Sequence, residues 1–189
     1  NKIYTINNHA ISSITSEIYN SISNAVYKRV IGTTERPIAC LLSGGLDSTS
    51  VMKYLGPIDS YRTFTTRYSP SDDTLYNNDA DCALMLADEY KLHHTELKVT
   101  QKSFTEHLKE SVKALEMPTY NKNNPSYLMI NKLMRHNDII VTYSGDGGDE
   151  MYTGYVTHSR YKKEEDVFKA HHQAISWKGR KRIQITSAE

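Results

Sequence analysis

Twice in this chain a short apolar run breaks abruptly into glycine and acid, and that repetition constrains the fold more than any other feature. Ile38-Ala39-Cys40-Leu41-Leu42 gives way to Ser43-Gly44-Gly45-Leu46-Asp47-Ser48. Ile139-Ile140-Val141-Thr142-Tyr143 gives way to Ser144-Gly145-Asp146-Gly147-Gly148-Asp149-Glu150. Runs this short and continuous read as buried strands of a parallel sheet rather than as helices. The threonine- and aromatic-rich stretch from Tyr61 to Tyr68 predicts another strand, and His93 to Val99 a further one.

Helical patterns fill the intervals. Ile11, Ile14, Ile18, Ile22, Val26 and Val30 recur at three- and four-residue steps and predict a long amphipathic helix closed by Gly32 and Pro37. Helices are also expected from the first glycine loop through Tyr54, over Asn78 to Lys91 with Ala83, Leu86 and Ala87 on one face, over Lys102 to Leu115 up to Pro118, and over Pro125 to Met134. Strands alternating with such helices predict an α/β fold, a doubly wound parallel sheet with flanking helices. Ligands of these sheets bind outside the carboxyl ends of the strands, where both glycine loops are expected. Residues 1–160 carry this pattern; residues 161–189 are polar and basic and read as a helical or partly ordered tail.

The bulk properties exclude several classes. A length of 189 residues suits one such domain, and a net charge of +1 supplies no global field to recruit nucleic acid or an anionic membrane. No apolar run is long enough to span a bilayer, and no leader pattern precedes the first helix. Cys40 and Cys82 sit in apolar stretches without metal spacing and are expected as reduced core thiols of a cytoplasmic protein. The chain starts at Asn1 rather than Met, as a trimmed or processed piece would. His93-His94 is expected to place one histidine inside and one outside, because adjacent strand residues face opposite ways. His171-His172 and the run Lys178 to Arg182 read as solvated polar sequence.

The first loop has the ingredients of an anion site. Its glycines let the backbone approach closely, successive N–H groups can form a nest, and a helix N-terminus adds partial positive charge. The lysine of GxxxxGK[ST] is absent. Asp47 stands there instead, and an acid beside a phosphate nest makes sense when Mg2+ bridges the two. The alternative is a glycine turn capped by Asp47. The second loop crowds Asp146, Asp149 and Glu150 among glycines, either as a solvated turn that starts a helix or as the second half of a metal site. In the latter case Asp47 and Asp149 are candidates to hold one Mg2+ against phosphate oxygens.

Leu42-Ser43-Gly44-Gly45-Leu46-Asp47-Ser48-Thr49 resembles the pyrophosphate loop of the N-type ATP pyrophosphatases, a group that includes asparagine, GMP and NAD synthetases and several tRNA-modifying enzymes. The second string, Ser144 to Tyr155, is similar to the asparagine-synthetase pattern SGEGADELFGGY, and the likeness continues in order between them through Asp79, Ala83, Ala87, His93-His94-Thr95-Glu96, Glu116 and Pro125-Ser126-Tyr127-Leu128. The resemblance implies an ATP-dependent amide-forming ligase: a carboxylic acid such as aspartate is activated as an acyl-adenylate with loss of Mg-pyrophosphate, then aminated by ammonia. It implies that Ser43, Gly44, Gly45, Asp47 and Ser48 bind pyrophosphate and metal, and that the backbone of Leu41 or Leu42 and of Thr66 frames the adenine. Ser144 and Gly145 would line the ribose and α-phosphate, Asp149 would be the second metal carboxylate, and Asp146 would serve the amide-forming step.

Some positions depart from the family. Asp146 stands for a glutamate, Arg67 for a glycine, and Asn121 and Asn123 lie near an arginine and a serine. The family's further lysine lies beyond this chain. Its glutaminase half is absent too, so nitrogen would come as free ammonia, from a separate glutaminase subunit or from a missing glutaminase domain. Two other readings share the loops: an RNA-modifying pyrophosphatase, which would want a CxxC pair or basic face, and a non-catalytic nucleotide-binding remnant.

Overall fold

The structure, a computed structural model, describes residues 11–30, 37–56, 61–69, 77–116, 121–152 and 154–155. Its strands are β1 (Ile38–Leu41), β2 (Tyr61–Ser69), β3 (His93–Thr100) and β4 (Val141–Tyr143). They form one sheet in the order β3-β2-β1-β4, and every pairing is parallel. Parallel neighbours cannot be joined by a tight hairpin, so each connection crosses over through a helix. Helix α1 (Ile11–Val30) precedes the sheet, α2 (Leu46–Leu55) links β1 to β2, and α3 (Asn78–Glu89) links β2 to β3. Helices α4 (Gln101–Ala114) and α5 (Asn124–His136) return the chain to β4, and α6 (Gly148–Tyr152) follows it. Compact units comprise Asn1–Ser144, which holds the sheet, and Gly145–Glu189.

Alternation along β1 sorts the core into two layers. Ile38, Cys40 and Leu42 meet Val26 of α1, Met52 and Leu55 of α2 and Ala83 of α3. Ala39 and Phe64 meet Ile130 and Met134 of α5. Helices thus cover both faces, as the doubly wound pattern predicts. Chain order runs outward from β1 through β2 to β3, then returns to the other side of β1. The β1–β4 boundary is therefore the topological switch point, where such sheets open a crevice at their carboxyl edge.

Three expectations need correction. The second apolar run is not a buried strand throughout: only Val141–Tyr143 pairs, Ile140 is exposed, and Ile139 is buried against α5 before the strand begins. With β1 as its one partner among the described residues, β4 is an edge, half covered rather than enclosed. The isoleucine stripe of α1 is buried only toward its C-terminal half, Val26 being 8% and Ile18 41% exposed. A helix of 20 residues extends well past its 10-residue partner α2, and the overhang stays wet. Finally, Cys40 is a core thiol but Cys82 is exposed, because the buried positions of α3 are Ala80, Ala83 and Ala87. The division at 160/161, the tail, His171-His172, the Lys178–Arg182 run, Gly32 and Pro118 lie outside the described residues. Among the described residues no helix is long and apolar enough to cross a membrane.

The α3-facing side of β2 and β3 is polar. His94 puts Nδ1 2.9 Å from Thr63 Oγ1, while its Nε2 is buried with no hydrogen-bond partner among the described residues. His93, next along the strand, is exposed, as alternation predicts. Burial holds the His94 pKa below its ordinary 6.5, so the neutral ring is the one the fold accepts. Glu96, hydrogen-bonded by Arg67, is held below the usual carboxylate range. Both folded pKa values lie below the unfolded ones, so each contribution is present above the unfolded pKa and lost as pH falls through the folded value. The melting temperature is expected to begin falling as pH drops below about 6.5 and to fall again below the carboxylate range. His94→Gln should remove the first step alone; a first step of unchanged size in that variant would show that His94 does not cause it.

Candidate active site

The loop after β1 is held in shape by its own hydroxyls. Ser43 N–H donates to Ser48 Oγ (3.2 Å), Ser48 Oγ–H donates to Gly45 O (3.2 Å), and the two hydroxyl oxygens lie 3.0 Å apart. Since the Ser48 proton is engaged at Gly45, the Ser43 hydroxyl is the donor between them. Gly45 N–H closes the ring on Ser43 Oγ (3.4 Å). Ser48 is 6% exposed, so its hydroxyl cannot turn to water for replacement bonds. Ser48→Ala should cost about 1–3 kcal/mol, read as the shift in denaturation midpoint.

Gly44 is fixed by two independent constraints. Its φ is +76°, and a methyl group there would overlap the Cβ of Cys82 and lie 3.0 Å from Ala83 N. The loop therefore rests directly on the first turns of α3. Helix α2 starts at once, with Gly45 as an N-cap that offers no side chain. Its first backbone bond is Thr49 N–H to Gly45 O (3.0 Å), so the N–H groups ahead of it have no carbonyl of their own helix to bond. Asp47 lies within that first turn rather than capping it. Amide donors, a helix N-terminus and one carboxylate suit a polyphosphate accompanied by a divalent cation.

Beside the loop the sheet itself opens. Strand β1 ends its pairing with β2 at Leu41↔Phe64 and a last bond from Leu42 N–H to Phe64 O (2.9 Å), whereas β2 runs on to Ser69. Alternate residues of β2 turn their backbone groups toward β1: Phe64, Thr66 and Tyr68. At Tyr68 the side chain of Asn77 takes β1's place, accepting from Tyr68 N–H (2.9 Å) and donating to Tyr68 O (3.0 Å). Thr66, between them, has its backbone N–H and C=O on the same side of β2, past the point where β1 stops pairing. On the other side of β1, Cys40 pairs with Tyr143, so Ser144 leaves β4 at the same carboxyl edge.

From Gly145 the chain belongs to the second compact unit. Gly147 adopts φ +98° with open space around its α-carbon, and Gly148 N–H bonds to Gly145 O (3.3 Å). Asp149 and Glu150 occupy the first turn of α6, where the helix dipole favours carboxylates. Gly154 donates its N–H to Asp149 O (3.0 Å), and any side chain at Gly154 would strike the Asp149 carboxylate. Tyr155 donates a short hydrogen bond to Glu150, and burial together with that bond raises its pKa. Asp146 is exposed at the turn before α6. No group of three or more metal-ligating side chains occurs among the described residues.

The structure thus gathers Leu41, Leu42, Ser43, Gly44, Gly45, Asp47, Ser48, Thr66 and Ser144 at one edge of the sheet, and sets Gly145 and Asp146 in the loop that opens the second unit and Asp149 in the first turn of α6. Sequence reasoning missed Asn77 and the Cys82–Ala83 floor. No local pattern marks either; only the crossover of α3 brings them to the loop.

Comparison with known proteins identifies the family. The asparagine synthase family model matches residues 17–187. Human glutamine-hydrolyzing asparagine synthetase is 30% identical over 156 residues, covering 77% of this chain and 26% of that protein. The mouse enzyme is 31% identical over 143 residues, covering 70% and 24%. The chain thus spans about a quarter of the length of these curated relatives. Among solved structures it resembles a U34-tRNA thiolase from Methanococcus maripaludis (TM-score 0.53, 14% identity, 85% of this chain and 55% of that one). It also resembles a glutamine-dependent NAD+ synthetase from Acinetobacter baumannii in complex with ADP (TM-score 0.50, 14% identity, 86% and 34%).

Strand order, paired helix layers and the glycine loop after β1 define the fold of the PP-loop ATP pyrophosphatases. Within that fold the chain belongs to the asparagine synthase family, a family of ATP-dependent ligases.

Proposed function

We propose that this chain is the ATP-cleaving part of an amide-forming ligase that activates a small carboxylic acid, aspartate or a relative, as its acyl-adenylate. The observation that carries the reading is the preshaped loop Ser43–Ser48, whose Gly44 tolerates no side chain and which leads straight into α2, where the first intrahelical bond is that of Thr49 N–H. In this reading the loop holds the β- and γ-phosphates, the backbone of Leu42 and Thr66 receives the adenine, and Ser144 and Gly145 flank the ribose and α-phosphate. A carboxylate oxygen of the acid attacks the α-phosphorus, the bond to the β-phosphate oxygen breaks, and its electron pair leaves with pyrophosphate. Ammonia then attacks the acyl carbon, the bond to AMP breaks with its electron pair leaving on the phosphate oxygen, and the nitrogen loses a proton, for which the family likeness offers Asp146 as the base. Positioning and charge neutralisation supply most of the rate in such transfers.

By their chemistry Asp47 and Asp149 are the carboxylates that would suit Mg2+, a hard cation that takes its remaining oxygens from a triphosphate and water. Bound there, the ion would neutralise charge building on the leaving pyrophosphate. Nitrogen would be delivered by a glutaminase part of the same or another chain, or taken as free ammonia. Asn121 and Asn123 stand near positions where the family has an arginine and a serine; neither offers a cation to grip an acid, so aspartate heads a panel of acids rather than standing alone. Pyrophosphate release from ATP and Mg2+ should appear with one acid of that panel plus ammonia. Release with no acid at all contradicts the ligase reading, and release only with tRNA would move the chain to RNA modification.

A further inference from the structure

Arg67 departs from the family's glycine, and its surroundings give it a task. Its Nε lies 3.0 and 2.9 Å from the two Glu96 oxygens, its Nη2 2.6 Å from Oε1, and its Nη1 2.8 Å from Asp81 Oδ1. Each of its three nitrogens thus gives at least one N–H to a protein carboxylate, which fixes the plane of the guanidinium. What the fork does is join three elements: β2 through Arg67, β3 through Glu96 and α3 through Asp81. Asp81 immediately precedes Cys82 and Ala83, the residues against which Gly44 rests. One turn earlier, Asn77 clasps the Tyr68 backbone at 2.9 and 3.0 Å. The start of α3 is thus tied twice to the carboxyl end of β2, and the helix can lie close because its inward residues are Ala80, Ala83 and Ala87.

We infer that Arg67 is a positioning residue: through Asp81 it sets how closely α3 approaches the loop, and so holds Gly44 in the conformation that receives the phosphates of ATP. Glu96 anchors the guanidinium so that only Nη1 is committed to the helix. The bidentate fork gives the fixed geometry that a lysine's single flexible ammonium lacks. This inference rests on the nucleotide-binding reading of the loop, and its test separates the two.

Cys82 supplies the independent readout. It is exposed beside Gly44, whereas Cys40 is fully buried with its thiol pushed up to about 12, so a water-soluble thiol reagent labels Cys82 selectively. In the full chain, Asp81→Asn and Arg67→Gln are expected to weaken binding of a non-hydrolysable ATP analogue by about two- to fivefold, the ceiling for a pair whose acid is largely exposed. They should raise the Cys82 labelling rate by a similar factor. Arg67→Lys should not restore either value, and Lys132→Gln, which breaks the ion pair between α4 and α5 on the other face, should move neither. Analogue affinity and labelling rate that both match the wild type in folded Asp81→Asn would overturn the inference, as would changes in Lys132→Gln equal to those in Asp81→Asn. No analogue binding by the wild type would overturn the nucleotide reading instead, and the labelling rates would then decide alone whether the fork sets the approach of α3 to Gly44.

Discussion

Gly44→Ala is expected to lower the denaturation midpoint by about 5–15 °C and to reduce pyrophosphate release to background. A left-handed backbone costs an alanine about 1–2 kcal/mol. Forcing its methyl group into the Cβ of Cys82 and toward the Ala83 backbone adds about 1–3 kcal/mol of overpacking. Neither cost can be relaxed without moving the loop off α3, and the loop's shape is what the phosphates need. Gly147→Ala is the control, because Gly147 also has positive φ (+98°) but meets nothing within 4 Å. Its midpoint should fall by the backbone cost only. Equal shifts in the two variants would show that the contact with α3 is immaterial.

The second large effect concerns the carboxylates. Asp47→Asn and Asp149→Asn should each lower pyrophosphate release at least about 100-fold, more than outer-shell changes cost a metal site. Excess Mg2+ should recover part of the loss. If both acids serve one ion, the double variant is little worse than either single one, because residues acting as a unit are not additive. Fully multiplicative losses would give them separate roles. Glu150 is occupied by Tyr155, and Glu150→Gln should be mild by comparison.

Much of this architecture was legible in the sequence. Apolar runs followed by glycine located β1 and β4, and helix periods fixed α1, α3 and α5 to within a few residues, because a half-buried helix must repeat its apolar positions. Ile139 misled because a residue can be buried by a helix without pairing in a strand, and Cys82 because one apolar neighbourhood in sequence spans two faces of a helix. The loop itself was readable for a different reason: its chemistry and its conformation need the same glycines. The Asn77 clasp and the Arg67 fork were not. Both act between residues that the β2–α3 crossover brings together, and no periodicity records which partner a polar side chain will meet.

The central claim, cleavage between the α- and β-phosphates by an acceptor carboxylate, is tested most directly by phosphorus NMR of the products formed from ATP, ammonia and the active acid labelled with 18O in its carboxylate. The account predicts AMP and pyrophosphate in equal amounts, with one labelled oxygen carried into AMP. ADP and orthophosphate, or AMP without the label, would contradict it.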